Sequence, residues 1–390
     1  MLQNLRTGFI CEAAWLRAIA CLNVIVIHVI AKPLYDLNHD MNLLNLYGAF
    51  TQHQYLVSFE FTRFAVPSFI FLTGFTLAWK YARSQDRFDF GSYIRHRFMI
   101  VFVPYALWSL LYSTYSVFYV ESGIPAQAGL LALVVRYGHD LLIGDALYHM
   151  YFVVITLQFY LIAPLFILLA KRYVNTPAWL VFGLVYQVAV GLIYAYYLSP
   201  TGHPFWDAVY LRLDRNSLMW VGYFVIGLAV GRDYERIREW VRRFGGYFSI
   251  PWLLLFYTLI WEFYHAADLG YYNLGVVSTS NILYTLFFLP LIFWVGIKLS
   301  TTRANPVMLN LSDHSYGIFL AHPIIIGYLQ PRFLWVDNLY NFGATMLLFA
   351  LSIAIPWGFL LGYGRLSSRR RRGTASQTEA AESRSFQNPG

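Results

Sequence analysis

The sequence predicts an all-α, polytopic integral membrane protein with about ten transmembrane helices and both termini cytoplasmic. Three observations carry this reading. First, 58% of the 390 residues are hydrophobic and only 12% are charged, whereas soluble domains hold about 45–50% apolar and about 25% charged residues. A chain this long and this apolar cannot hide the surplus in one soluble core, so the bilayer is its solvent. Second, apolar stretches near twenty residues long recur between polar breaks. Third, Lys and Arg crowd onto alternate connecting segments.

The expected spans, in order, are 13–31, 56–79, 98–120, 148–170, 177–198, 218–231, 249–267, 281–299, 308–328 and 341–363. The first is almost all hydrocarbon but contains Arg17 and His28. The second carries Glu60 and Arg63 ahead of a Pro67 and a Thr73-Gly74 pair, which suit a kinked or close-packed helix. The third follows the basic run YIRHR, the fourth opens on His149, and the sixth is short. The ninth is broken by His322-Pro323. Between them, 32–55 and 121–147 read as long outer loops rich in aromatic, Asn, His and Gly residues, suited to covering a cavity or lying in the interface. From residue 367 onward apolar periodicity stops, so the chain divides into a transmembrane domain, 1–366, and a basic cytoplasmic tail, 367–390, expected to be disordered. The Arg369–Arg372 run in that tail faces anionic membrane lipid. No repeat of motif length stands out, and no small-residue cleavage site follows the first apolar run.

Orientation comes from the basic residues. With the N-terminus inside, the cytoplasmic segments collect Arg6, Arg17, Lys80, Arg83, Arg87, Arg95 and Arg97. They also collect Lys171, Arg172, the arginines from Arg232 to Arg243, Lys298, Arg303, Arg365, Arg369–Arg372 and Arg384. That is 22 of 28, against Lys32, Arg136, Arg212, Arg215 and Arg332 outside. The net charge of +8 is therefore a topology signal, and no nucleic-acid partner is expected. Cys11 and Cys21 lie about 15 Å apart on a helix, too far for a disulfide.

Ionisable groups inside spans mark the candidate chemistry. Eleven helical residues bring Arg17 and His28 within about 20° of one stripe, roughly 16 Å apart along the axis. One cavity, or one continuous path, could see both; a snorkelling Arg and a hydrogen-bonded structural His fit the spacing equally well. Glu60 and Arg63, three apart, can pair, either as a structural ion pair or as part of a substrate site. Arg95, His96 and Arg97 stand where a phosphorylated ligand could be held, although a plain positive-inside flank is the commoner explanation. His149 and His322 are each, alone, more often structural than catalytic. No HExxH, CxxC or DxD spacing points to a metal, and there is no P-loop, GxGxxG or GxSxG.

Together these segments resemble a known family. The Arg17…His28 pair, RFAVPSFIFLTGF (63–75), YIRHRFMIVFVPY (93–105), HMYFVVITLQFYLIAPL (149–165) and SYGIFLAHPIII (315–326) are similar, in order, to the signature segments of the acyltransferase-3 membrane family. Thr156 and Leu157 stand where many relatives carry a Glu. With GYFVIGLAVGRDYER (222–236), that departure resembles the intercellular-adhesin C-type branch, associated with biofilm exopolysaccharide and with both acyl transfer and export. The resemblance implies transfer of an acetyl or succinyl group from cytoplasmic acyl-CoA, a donor substrate rather than a bound cofactor, to a hydroxyl of a cell-surface polysaccharide or lipid-linked sugar. His28 would be the general base, since an imidazole ordinarily titrates near neutrality, and Arg17 would serve the charged donor. Arg95 and Arg97 would hold CoA phosphates, and Glu60, Arg63, His149 and His322 would shape the substrate site. The expected location is the cell membrane, with a polysaccharide synthase complex as a further partner. The competing reading is an exporter or flippase of a polysaccharide or lipid-linked sugar, using the same polar stripe as a path.

Overall fold

The computed structural model describes residues 10–84, 88–116, 129–172, 175–197, 213–265, 278–334 and 341–387. Among them there are α-helices and short 3-10 or π turns, and no strand. Within the described residues, each of the ten expected spans falls largely on helix. α1 (Cys11–His39) and α2 (Met41–Phe61) are followed, after a 3-10 turn, by α3 (Ala65–Leu77), which runs on as a π turn. α4 (Phe90–Arg97) joins α5 (Val103–Tyr115) through a second π turn, and α6 is Gly129–Ile143. Then come α7 (Tyr151–Arg172), α8 (Thr176–Tyr197), α9 (Val221–Arg232), α10 (Tyr234–Phe244) and α11 (Ser249–Tyr264). α12 (Thr279–Leu299), α13 (Ala304–Leu334) and α14 (Phe342–Gln387) complete the chain. Eight helical stretches are long and apolar enough to cross a membrane; the protein is multi-pass. The other two expected spans are the shorter apolar stretch Ser217–Arg232 and the 31-residue α13.

The segment 32–55 is helical, not an open loop. Ile30, Leu34 and Leu37 carry the apolar stripe of α1 past the expected end of the span, and they pack with Tyr55 and Leu56 of α2. The chain reverses at Asp40, in extended backbone, and bends again at Gly48, whose φ of 83° favours glycine. Part of 121–147 is helix α6, tied down by the buried Asp140, which accepts from Arg136 at 3.0 Å and from Ser113 at 2.8 Å. The rest of that segment, up to 128, lies outside the described residues. Helical backbone in α14 continues to Gln387, beyond residue 366, where the composition turns polar.

α9 explains why the sixth span can be short. Every residue from Val221 to Gly231 is buried, as expected of a helix apolar on all sides. It lies against α3 so closely that a Cβ at Gly227 would strike the Phe71 carbonyl, and one at Gly74 would strike the Phe224 carbonyl. Small residues let backbones approach in this way within membranes.

α1 occupies the centre, with α13 alongside it. Trp15 Nε1 donates to Asn305 Oδ1 at 2.9 Å, Cys21 Sγ to the Ser315 carbonyl at 3.5 Å, and His28 meets His322. The numbers rise together, so α1 and α13 are parallel, as the first and ninth of ten spans must be.

Candidate active site

One face of α1 and one of α13 climb together through the protein. On α1 the stripe is Arg17, Cys21, Val24 and His28; on α13 it is Ser312, Ser315, Phe319 and His322, spaced by three or four residues. At the upper end His28 Nδ1 lies 2.8 Å from His322 Nε2, the two rings stacked with centroids 5.1 Å apart. The proton between them can be assigned from its surroundings. His322 Nδ1 is 3.3 Å from the Ile318 carbonyl, which only accepts, so Nδ1 carries the hydrogen. In the neutral ring Nε2 is then a bare acceptor, and His28 Nδ1–H donates to it. This leaves His28 Nε2 with its lone pair.

His149, the third histidine, joins this pair. Its ring lies 6.1 Å from His28 and 5.3 Å from His322, and it is 1% exposed. Neither of its nitrogens has a hydrogen-bond partner among the described residues. An unpaired buried polar group costs roughly 1–3 kcal/mol, which a hydrogen bond from a ligand atom or a water to His149 would offset. The three rings do not converge on one point, and among the described residues no group of three His, Cys, Asp or Glu is set to hold a metal ion. Above them opens a cavity of about 790 Å³ lined by His28, Lys32, Tyr112, Tyr148, Tyr328 and Arg332 among others. The Tyr148 ring stands edge-on to His28 at 4.6 Å.

At the other end Arg17 projects into two adjoining chambers, of about 280 and 590 Å³, which share Arg17, Thr76, Arg97 and Ser312. Arg17 has no hydrogen bond or ion pair among the described residues, and Arg97 stacks on Tyr160 at 4.6 Å with its Nε unpartnered. In the larger chamber Arg17 and Arg97 are joined by Lys80 and no carboxylate among the described residues lines the wall, which suits an anion, whereas Asp313 lines the smaller one with them.

The structure thus brings together His28, His149 and His322 at one end of the stripe, and Arg17 with Arg97 at the other. It does not bring in the remaining candidates. Arg63 donates to Glu60 at 2.8 Å, both being held largely out of solvent, and neither lines any of these three cavities. Arg95 is exposed and lines none of them either. Sequence reasoning passed over Asp313, Tyr160 and Phe319, which line the smaller chamber. Asp313 carried a signal, as an acid inside the ninth span; Phe319 was one phenylalanine among 32.

Comparison with known proteins follows the same line. The acyltransferase-3 family model, an acyltransferase domain, matches residues 13–362. The chain belongs to this acyltransferase family. The match runs from α1 into α14 and covers the lining of all three cavities except Ile10. Among curated proteins, the chain is 25% identical over 355 residues to a probable poly-beta-1,6-N-acetyl-D-glucosamine export protein of Staphylococcus aureus (strain MSSA476), covering 90% of this chain and 92% of that one. It is 26% identical over 355 residues to the protein of the same description from Staphylococcus epidermidis, covering 90% and 91%. No solved structure matches.

Proposed function

We propose that this acyltransferase is an O-acyltransferase of the cell membrane. It moves an acetyl or succinyl group from cytoplasmic acyl-CoA to a hydroxyl of a cell-surface or exported polysaccharide. The single observation that carries this is the histidine pair: its hydrogen-bond order leaves His28 Nε2 as a base beside an aromatic cavity. Arg17, at the other end of the same stripe, shares its chambers with Arg97.

In this reading the N-terminus and the arginine chambers face the cytoplasm, and the acceptor enters the tyrosine-lined cavity. Arg17 and Arg97 hold the phosphates of CoA, and the thioester points toward the histidines. His28 Nε2 takes the proton of the acceptor hydroxyl as its oxygen attacks the thioester carbonyl carbon. The new C–O bond forms, the C–S bond breaks, and His28 returns the proton to the departing thiolate. The products are an ester and free CoA. His322 is a positioning residue that fixes the His28 tautomer and ring plane, as second partners of catalytic imidazoles do. His149, with two unsatisfied nitrogens against the pair, is suited to hold the thioester carbonyl oxygen. The polysaccharide acceptor is suggested by what the staphylococcal relatives are described as exporting.

That description also favours a second reading, export of the polymer itself. Acyl-CoA consumption separates the two. Purified protein in lipid vesicles, or membranes that contain it, should release CoA thiol from acetyl- or succinyl-CoA and leave ester-linked acyl on polysaccharide. A transport-only protein releases none.

A further inference from the structure

We infer that Phe319 sets the length of the acyl group this protein transfers, by closing the smaller arginine chamber beneath the histidines; the inference rests on the acyl-transfer reading above. Phe319 lines that chamber and is 5% exposed. Its ring also packs on the far side, with centroids 5.0 Å from His149 and 6.0 Å from His322. Phe152 stands beside it at 5.8 Å, and Phe69 lies 5.4 Å beyond Phe152. All three phenylalanines line the chamber. The upper wall is therefore an aromatic shelf one ring thick, with the histidine pair on its other face.

The charges lie at the opposite end. Arg17 and Arg97 anchor the polar part of a donor, so the part that reaches the shelf is the apolar acyl end. His28 lies beyond the shelf, so the acyl carbon must meet the acceptor there. With its carbonyl carbon at the edge of the shelf nearest His28, an acetyl group rests its methyl on the Phe319 ring, so of the two acyl groups proposed above the shelf selects acetyl. Each added methylene must occupy the volume that the Phe319 ring now fills. Phe319 is the ring to move, because it alone of the three phenylalanines has ring contacts with the histidines among the described residues. It sits one turn before His322 on α13, so its size is presented at a fixed height.

The test uses membranes from cells expressing the full chain, which also supply the acceptor, with acetyl-, butyryl- and hexanoyl-CoA as donors. CoA release and acyl ester on polysaccharide are measured together. A methylene more or less in an apolar pocket is worth about tenfold or more in kcat/KM. The wild type should therefore prefer acetyl to butyryl by at least about tenfold, with hexanoyl poorer still. Phe319→Ala should bring the butyryl-to-acetyl ratio to one or above, and Phe319→Leu should fall between. Phe319→Trp should keep acetyl and lose the rest. The Leu variant, which keeps most of the apolar bulk, carries the test if the Ala variant does not fold. A folded Ala or Leu variant with the wild-type chain-length profile overturns the assignment of Phe319 while leaving acyl transfer intact. A wild type that releases no CoA from any donor overturns acyl transfer itself, and this inference with it.

Discussion

Replacing His322 acts on His28 through one hydrogen bond, and this separates a positioning role from a catalytic one. His322→Ala removes the acceptor of His28 Nδ1–H and frees the ring to turn or change tautomer. The expected cost is a fall in kcat of roughly 10–100-fold, the usual scale for an outer partner, with KM for acyl-CoA unchanged. A KM effect with normal kcat would assign His322 to donor binding instead. The arginines should behave in the opposite way. Arg17→Ala and Arg97→Ala each remove a charge-assisted contact of about 1.5–3 kcal/mol, so KM for acyl-CoA should rise at least tenfold while the membrane level of the protein holds. Arg95→Ala, exposed and outside the chambers, should match the wild type; equal KM effects at positions 95 and 97 would place the donor outside the chambers. Arg17→Lys keeps the charge and loses the planar fork, so it should be intermediate.

At the scale of elements, the packing of α9 on α3 makes the firmest statement. Gly227→Val puts side-chain atoms into the Phe71 carbonyl, and overpacking of this kind costs about 1–3 kcal/mol. The melting temperature in detergent should drop, whereas Gly138→Ala in α6, where a new Cβ meets nothing within 4 Å, should leave it unchanged or slightly higher. Equal melting of the two variants would contradict the close α3–α9 contact. The spans were legible in the sequence because a membrane helix needs a long apolar window, and such windows are a property of composition. The helical return between His39 and Met41 was not, because Asn, His and Tyr in 32–55 look like loop chemistry until Leu34 and Leu37 are seen to extend the stripe of α1. The site divides in the same way. His28, His149 and His322 were legible singly, since an ionisable group in a span is costly and calls for a reason. Their meeting was not, because it depends on α1 and α13 being neighbours 294 residues apart in sequence. Glu60 and Arg63 gave an equally strong signal, and the structure pairs them with each other, away from the three cavities.

The whole molecule links two ends. The parallel course of α1 and α13, and the Arg232 hydrogen bonds to the carbonyls of Ala82 and Ala170 that tie three helix ends together, agree with the alternation read from the basic residues. Reporter fusions after residues 50 and 338 should read outside, and those after 90, 240 and 375 inside; one on the wrong side breaks the ten-span assignment. With that orientation, in the proposed reading, the arginine chambers face the acyl-CoA pool and the tyrosine cavity faces the polymer, with the histidines between. The claim that joins these parts is that His28 moves a proton during ester formation. The most direct measurement is mass spectrometry of ester-linked acyl groups on polysaccharide from cells expressing wild type or His28→Gln at equal membrane levels. Glutamine keeps the hydrogen-bonding capacity and cannot titrate, so the variant should lose acylation by about 10²–10⁴-fold. Acylation by His28→Gln at the wild-type level would make His28 a structural residue and remove its proton transfer from the account.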